Sequence, residues 1–356
     1  MAKGFDQKKK EAFAGQMVSA LNGMALGLMT SVGHKTGLFD VMAGLPPSTS
    51  GQLAQAAELN ERYVREWLGA MVAGRIIEYE PAGGTYRLPP EHAASLTRAA
   101  GPDNLSVFAQ DLALLGTVEE RIVKCFRKGG GVPYSAYRGF QELQAQESGQ
   151  VLDATLLQAT IPLVPGLVKR LQAGIDVADV GCGQGHAINL MAKAFPQSKF
   201  SGFDFSAEGI AAARREAAAQ GLSNARFEVK DVATLATPRR FDLITAFDAI
   251  HDQAHPTQVL KAISRALRPH GTFLMVDVAA SSNLADNLEH PLAPSLYTFS
   301  CLHCMTVSLA QGGEGLGAMW GEQKARQMLA EAGFARVEVK QIPGDVLNSY
   351  YIATKG

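Results

Sequence analysis

The stretch Asp176-Val-Ala-Asp-Val-Gly-Cys-Gly-Gln-Gly185 constrains this chain more than any other. An apolar run ends in three glycines at alternate positions and opens into His186-Ala-Ile-Asn-Leu-Met-Ala-Lys-Ala194. That pattern reads as strand, tight turn and helix. Glycine belongs where the backbone takes positive φ or comes within contact distance of a ligand, and the helix that follows offers unpaired N–H groups to whatever covers the turn. A second apolar run, Lys199-Phe-Ser-Gly-Phe-Asp-Phe205, ends in Asp204, and an acid roughly 20 residues past the turn, on the end of the next parallel strand, is placed to hold a ribose diol. A nucleoside-containing cofactor is therefore expected over Gly181, Cys182, Gly183 and Gly185, with Asp204 and Phe205 beside it. A dinucleotide fingerprint would require glycine at position 186, which is histidine.

From Ile175 onward apolar runs alternate with helical stretches, which predicts parallel βαβ units with right-handed crossovers. Strands are expected at 176–182, 199–205, 225–231, 241–248 and 271–278. The last two, 335–342 and 348–354, are separated only by Gly344-Asp-Val-Leu-Asn348, too short for a crossover helix, so they form an antiparallel hairpin. The long insertion 279–334 hangs over the carboxyl ends of the strands, where ligands bind in open α/β sheets.

Ahead of this lies a different pattern. Residues 36–92 read as three short helices, with Asn60 a good N-cap for the third, followed by two strands around Pro81-Ala-Gly-Gly84, the outline of a winged helix. Winged helices often bind DNA, but residues 1–95 hold nine basic and nine acidic side chains, and Arg62 and Arg65 alternate with Glu61 and Glu66. A DNA reader needs a cationic footprint, which argues instead for dimerisation and a lid over substrate, with no nucleic-acid partner. Residues 12–33 carry no charge. Polar residues and glycines dilute the run too far for a membrane span, so it is expected to be buried, against another helix or a second subunit. Residues 96–170 read as a helical connector broken at Gly129-Gly-Gly-Val-Pro-Tyr134. That break is either a loop folding Tyr134 over a ligand or a plain turn between helices.

Composition excludes little more. The 47% hydrophobic and 19% charged content is that of a globular chain with real cores, and a formal charge of -1 gives no reason to expect nucleic acid or anionic lipid. Four cysteines and no secretory signal suggest a reducing cytoplasmic setting. Cys301, His303 and Cys304 cluster, but a closed zinc site needs four ligands and no second C-x-x-C exists, so no metal is expected. They and Trp320 read as the lining of an acceptor pocket, with a reactive thiol as the alternative.

Asp179 followed by Gly181-x-Gly183-x-Gly185, in a parallel sheet that ends in an antiparallel hairpin, resembles the class I S-adenosylmethionine-dependent methyltransferases. The resemblance implies a Rossmann-like seven-stranded domain that takes S-adenosyl-L-methionine as methyl donor. It implies that Asp204 holds the ribose, that Asp231 accepts from the adenine amino group with Val232 on the ring, and that Phe247, Asp248 and Tyr134 also line the cofactor. The segment Ala249-Ile-His251-Asp252-Gln253 is similar to the His-Asp-Trp of small-molecule O-methyltransferases with a winged-helix dimerisation domain, such as those acting on plant phenols and hydroxyindoles. That makes His251 a general base and Asp277 the acid that orients it, while Gln253 departs from the tryptophan of that family and Glu314 does not align well with its second supporting acid. Over nearly its whole length the chain resembles a bacterial group of two-domain methyltransferases, through Leu88-Pro-Pro-Glu-His92, Gly129-Gly-Gly-Val-Pro-Tyr134, Ala249-Ile-His-Asp-Gln253 and Gly312-Gly-Glu-Gly-Leu-Gly317. The implied organisation is a winged-helix domain at 1–95, a connector and lid at 96–170 and the cofactor-binding domain at 171–356. Three functions follow: a methyltransferase for a phenol-like oxygen with His251 as base; one for sulfur, nitrogen or a metalloid using Cys301 or Cys304; and a regulator that senses the cofactor and binds DNA. His251 as a mere cap or cofactor-lining residue stays open beside the first.

Overall fold

The computed structural model describes residues 4–235 and 237–356. They form two compact units that divide between Gly116 and Thr117, so the stretch expected as one connector is shared between them.

The first unit opens with α1 (Gln7–Thr36), capped by the Asp6 carboxylate, which accepts from the Lys8 and Lys9 amides, and ended by Gly37 at φ 72°. Helices α2 (Leu38–Ala43), α3 (Ser50–Ala56) and α4 (Glu61–Ala73) follow, then the antiparallel pair β1 (Glu78–Glu80) and β2 (Thr85–Arg87), the short α5 (Pro90–Ala93) and α6 (Leu105–Gly116). Leu38, Phe39, Leu53, Leu68 and Met71 fill the core. Arg62 pairs with Glu66 and Arg65 with Glu61 one turn apart on α4, so both arginines are locally neutralised.

The expected burial of residues 12–33 holds only for one end. Gly33 lies so close to the Phe39 and Trp67 rings that a Cβ would stand 2.6 Å from each, Gly27 faces Leu112 of α6, and the Trp67 indole donates to the Met29 carbonyl at 2.8 Å. Phe13, Met17, Val18, Leu21 and Met24 remain exposed. The three-helix core is already complete with the last turns of α1, and the earlier turns project past it. Among the described residues, α1 is also the one unbroken helix long and apolar enough to cross a membrane.

The second unit begins with α7 (Glu119–Lys128), α8 (Phe140–Thr155) and α9 (Leu167–Ala173) and then winds a seven-stranded sheet. Its strands are β3 (Asp176–Val180), β4 (Lys199–Asp204), β5 (Ala225–Val229), β6 (Phe241–Phe247), β7 (Leu267–Val278), β8 (Phe334–Lys340) and β9 (Asn348–Lys355), in the order β5-β4-β3-β6-β7-β9-β8. The first five are parallel, and β9 runs antiparallel between β7 and β8, as the short connection requires. Helices α10 (His186–Ala194) and α11 (Ala207–Ala219) belong with a core of Val177, Ile188, Phe200, Ile210 and Leu243 on one face. Helices α12 (Pro256–Ala266) and, later, α15 (Gly321–Glu331) close the other over Ile244, Ile263, Phe273 and Leu329. Between β7 and α15 the insertion forms α13 (Ala293–Phe299), a π-helical turn at Ser300–Cys304 and α14 (Met305–Ala310). Winding outward from β3 and then crossing to β6 leaves a crevice at the carboxyl ends of these central strands, where such sheets hold ligands.

Candidate active site

The glycine turn after β3 divides its labour. A Cβ on Gly185 would lie 2.5 Å from both Ala213 Cβ and the Phe227 ring, so this glycine serves packing. At Gly183, φ 51°, a Cβ would meet nothing within 4 Å, so the backbone there faces open space of the kind a ligand fills. The turn's amides are not all free, since Gly181 and Cys182 both donate to the Phe203 carbonyl at 2.8 and 3.1 Å. Gly183 donates to Asp204 Oδ2 at 2.9 Å while Ser206 donates to Oδ1 at 2.7 Å, so Asp204 is held rigidly by backbone on both oxygens.

Two adjoining cavities share Gly181, Asp204, Phe205, Asp252 and Gln253. One is lined by Lys230, Asp231, Val232 and His255, with Asp231 also capping the next turn by accepting from the Ala233 amide at 2.9 Å. The other, about 240 Å³, takes in Tyr134, Asp179, Cys182, Gly183, Phe247, Asp248, His251, His303 and Cys304. Asp179 accepts from Thr245 Oγ1 at 2.6 Å, yet burial and then the nearby Asp204 charge push its carboxyl up to about 7. Burial likewise pushes the Cys182 thiol well up. A carboxylate that crowded is better matched to a cation than to empty space. The donor set, carboxylates beside a glycine turn with open space over it, fits a cationic nucleoside.

His251 sits in the loop after β6 and is buried. Its Nδ1 lies 2.8 Å from Asp277 Oδ1, and that oxygen also accepts from the Val278 amide at 2.8 Å and the Trp320 indole at 3.0 Å. In the neutral ring Nδ1 carries the hydrogen toward Asp277, and Cys304 lies against the other side of the ring. Burial alone would lower the pKa of His251; the Asp277 charge, with Cys304 beside the ring, outweighs it and holds the group well above the ordinary 6.5.

An aromatic cluster closes over this point. The His303 ring stacks on Phe140 at 4.0 Å and meets Tyr137 and Tyr134 edge-on at 4.8 and 5.3 Å. Burial, and then His251, drives its pKa down to about 3, so the ring is neutral, and its Nε2 is buried with no hydrogen-bond partner. The 129–137 loop is pinned by the Val132 amide on Thr306 Oγ1 at 2.9 Å, by the Tyr137 hydroxyl on the Leu302 carbonyl and by the Tyr134 hydroxyl on Asp252. A plain interhelical turn would have none of these.

Two expected pocket residues stand elsewhere. Trp320 lies behind the base, donating to Asp277, because the chain before α15 packs beneath the sheet ends and does not rise over them. Cys301 faces a separate apolar cavity with Cys125, Phe126, Met305 and Leu309, because the π turn rotates it away from His303 and Cys304. Among the described residues no group of three His, Cys, Asp or Glu is arranged to hold a metal ion. Glu314 accepts from Thr257 Oγ1 at 2.9 Å and makes no hydrogen bond to His251. Phe140 and, on the same helix, Gln141, Gln144 and Ser148 also line the cavity, and no sequence pattern marks them. Their one signal, a polar face on α8, is what any surface helix carries.

Residues 24–98 match the family described as Rv2258c-like winged HTH domain, and residues 171–333 match the family described as Methyltransferase domain. A trans-aconitate 2-methyltransferase of Methylobacterium nodulans is 31% identical over 121 residues, which are 34% of this chain and 42% of that protein. A fatty-acid O-methyltransferase of Mycolicibacterium smegmatis is 31% identical over 105 residues, 29% of this chain and 37% of that protein. The chain thus spans about two fifths of the length of the curated relatives it matches. Among solved structures, human N-acetylserotonin methyltransferase in complex with SAM superposes with a TM-score of 0.70 at 18% identity, covering 100% of both chains. The mitomycin 7-O-methyltransferase superposes with a TM-score of 0.71 at 17% identity, covering 98% of this chain and 100% of that one. By the families they match, residues 24–98 are a winged HTH domain and residues 171–333 a methyltransferase domain, and the chain has the fold of the solved methyltransferases.

Proposed function

We propose that this protein transfers a methyl group from S-adenosyl-L-methionine to an oxygen of a small, phenol-like acceptor, with His251 as general base and Asp277 as the group that orients it. The observation that supports the reading is the buried Asp277–His251 pair at the carboxyl end of the sheet, in the wall of the cavity. When bound, the donor supplies an activated methyl on a sulfonium that is already a good leaving group, so the chain has to position, dry and deprotonate. Asp204, Asp231 and Val232 would hold the nucleoside, and Asp179 and the backbone at Gly183 the amino-acid end. Phe205, Phe247 and Tyr134 would exclude water. A phenol near pKa ~10 is a poor nucleophile at neutral pH, and an imidazole fixed by a carboxylate takes its proton during attack. The aromatic wall of Phe140, Tyr134 and His303 beside His251 suits a flat ring.

Catechol turnover by the purified protein and by His251→Ala tests this. A loss of about 10²–10⁴ in kcat is expected; full activity in the variant would remove His251 from the mechanism. A second reading, transfer to sulfur, nitrogen or a metalloid, keeps one observation in its favour, Cys304 beside His251. Cys304→Ser with unchanged catechol turnover would speak against a required thiol.

The exposed apolar turns of α1 support a homodimer formed through the first unit. The paired arginines of α4 argue against DNA readout.

A further inference from the structure

The chemistry above leaves two acids of the cavity without a task, and of these Asp252 accepts from the Tyr134 hydroxyl whereas Asp248 has no such partner. It follows β6 and stands at φ 48°, a backbone conformation that costs a non-glycine residue energy and persists where the surroundings impose it. Its amide donates to the Val276 carbonyl at 2.9 Å, which fixes the backbone across to β7, and its side chain is exposed into the cavity without a hydrogen bond or ion pair. Burial, and then the Asp277 charge, push its carboxyl up to about 7 against the lowering pull of His251, three residues on, so a cation beside it would be what restores its charge. The sequence reading had set it with the cofactor.

Two further observations point to what it meets. Among the residues lining this cavity, Asp179, Asp204, Asp248 and Asp252 are carboxylates, and none is lysine or arginine. Independently, His303, 4% exposed, brings to the same wall a neutral imidazole whose Nε2 is buried without a partner. An acceptor that satisfied both would offer a hydrogen-bonding group to His303 and positive charge to Asp248.

We propose that Asp248 selects the acceptor: it receives a protonated nitrogen of a small hydroxylated aromatic molecule, carried on the same ring as the hydroxyl that His251 deprotonates, and it repels acceptors bearing a carboxylate. This rests on the methyl-transfer reading of the same cavity. Carboxylic acids of the kind named for the trans-aconitate and fatty-acid relatives are the class this wall turns away, since it holds four carboxylates and no lysine or arginine to pair with theirs.

Three matched catechols test it, carrying a methyl, an aminoethyl or a carboxymethyl group at the 4-position. Each is titrated calorimetrically into protein saturated with S-adenosylhomocysteine. The aminoethyl compound should bind about tenfold or more tighter than the methyl compound, and the carboxymethyl compound weakest. Asp248→Asn should bring the aminoethyl and methyl compounds within about threefold of each other, and Asp248→Glu should restore the order. Equal affinities in the wild type, no binding of the aminoethyl compound, or a loss of S-adenosylhomocysteine affinity in Asp248→Asn as large as the loss for the amine would each overturn the assignment. Turnover is assayed separately: the charge order without methyl transfer sinks the transfer reading and upholds Asp248, and transfer without the charge order does the reverse.

Discussion

At the scale of single residues, the His251 ring is defined by what surrounds Asp277. One carboxylate oxygen takes the imidazole, the Val278 amide and the Trp320 indole together, so its direction is fixed from three sides. Because the Asp277 charge overcomes burial and holds the His251 pKa well above 6.5, the ring reaches the neutral form, which alone can accept a proton, at a higher pH than a free imidazole does. The kcat/KM profile should therefore rise with pH through a limb above 6.5. Asp277→Asn should move that limb downward and lower kcat by about 10²–10⁴, because an amide can bond the wrong tautomer. The measurement is the pH dependence of initial rates in both proteins, and an unmoved limb would contradict the pairing. His251 and Asp277 were reached through the resemblance of Ala249-Ile-His251-Asp252-Gln253 to the His-Asp-Trp segment, while periodicity located the strands whose carboxyl ends carry them. Trp320 was not, since its role depends on where an insertion of some fifty residues returns to the sheet, and no local pattern encodes that.

At the scale of elements, the strand–turn–helix unit carries both fold and binding, and its glycines separate the two. Gly185→Ala places a methyl into Ala213 and Phe227 at a positive φ and should destabilise the protein by about 2–4 kcal/mol in denaturant unfolding. Gly183→Leu, whose Cβ enters open space, should cost roughly 1–2 kcal/mol for its φ while weakening S-adenosylhomocysteine binding more than about tenfold by calorimetry. Were the Gly183 variant to bind normally, the open space would not be the ligand's. The parallel strands and the closing hairpin were legible here, because connection lengths decide between parallel and antiparallel neighbours. The Phe140–His303–Tyr137 stack was not, since it joins α8, the 129–137 loop and a π turn that are distant in sequence.

At the scale of the whole molecule, the sequence marked residues 12–33 as a helix in need of a partner, and the single chain covers only its last turns. Phe13, Met17, Leu21 and Met24 are 61%, 44%, 60% and 62% exposed, an apolar stripe of the kind soluble proteins rarely leave uncovered. If a second copy covers it, light scattering should give a dimer, and Leu21→Lys with Met24→Lys should give a folded monomer with its unfolding cooperative and its S-adenosylhomocysteine affinity retained. A wild-type monomer in dilute solution, or one recovered on lipid vesicles, would assign the stripe to something other than a second copy. The contact that closes the cavity has a consequence of its own. The Tyr134 hydroxyl rests on Asp252, the neighbour of His251, while burial and then the Asp252 charge keep its proton firmly in place. Of the three contacts that hold the 129–137 loop, this one alone ends on the residue next to the base, so the cover of the crevice and the charge beside His251 share a hydrogen bond.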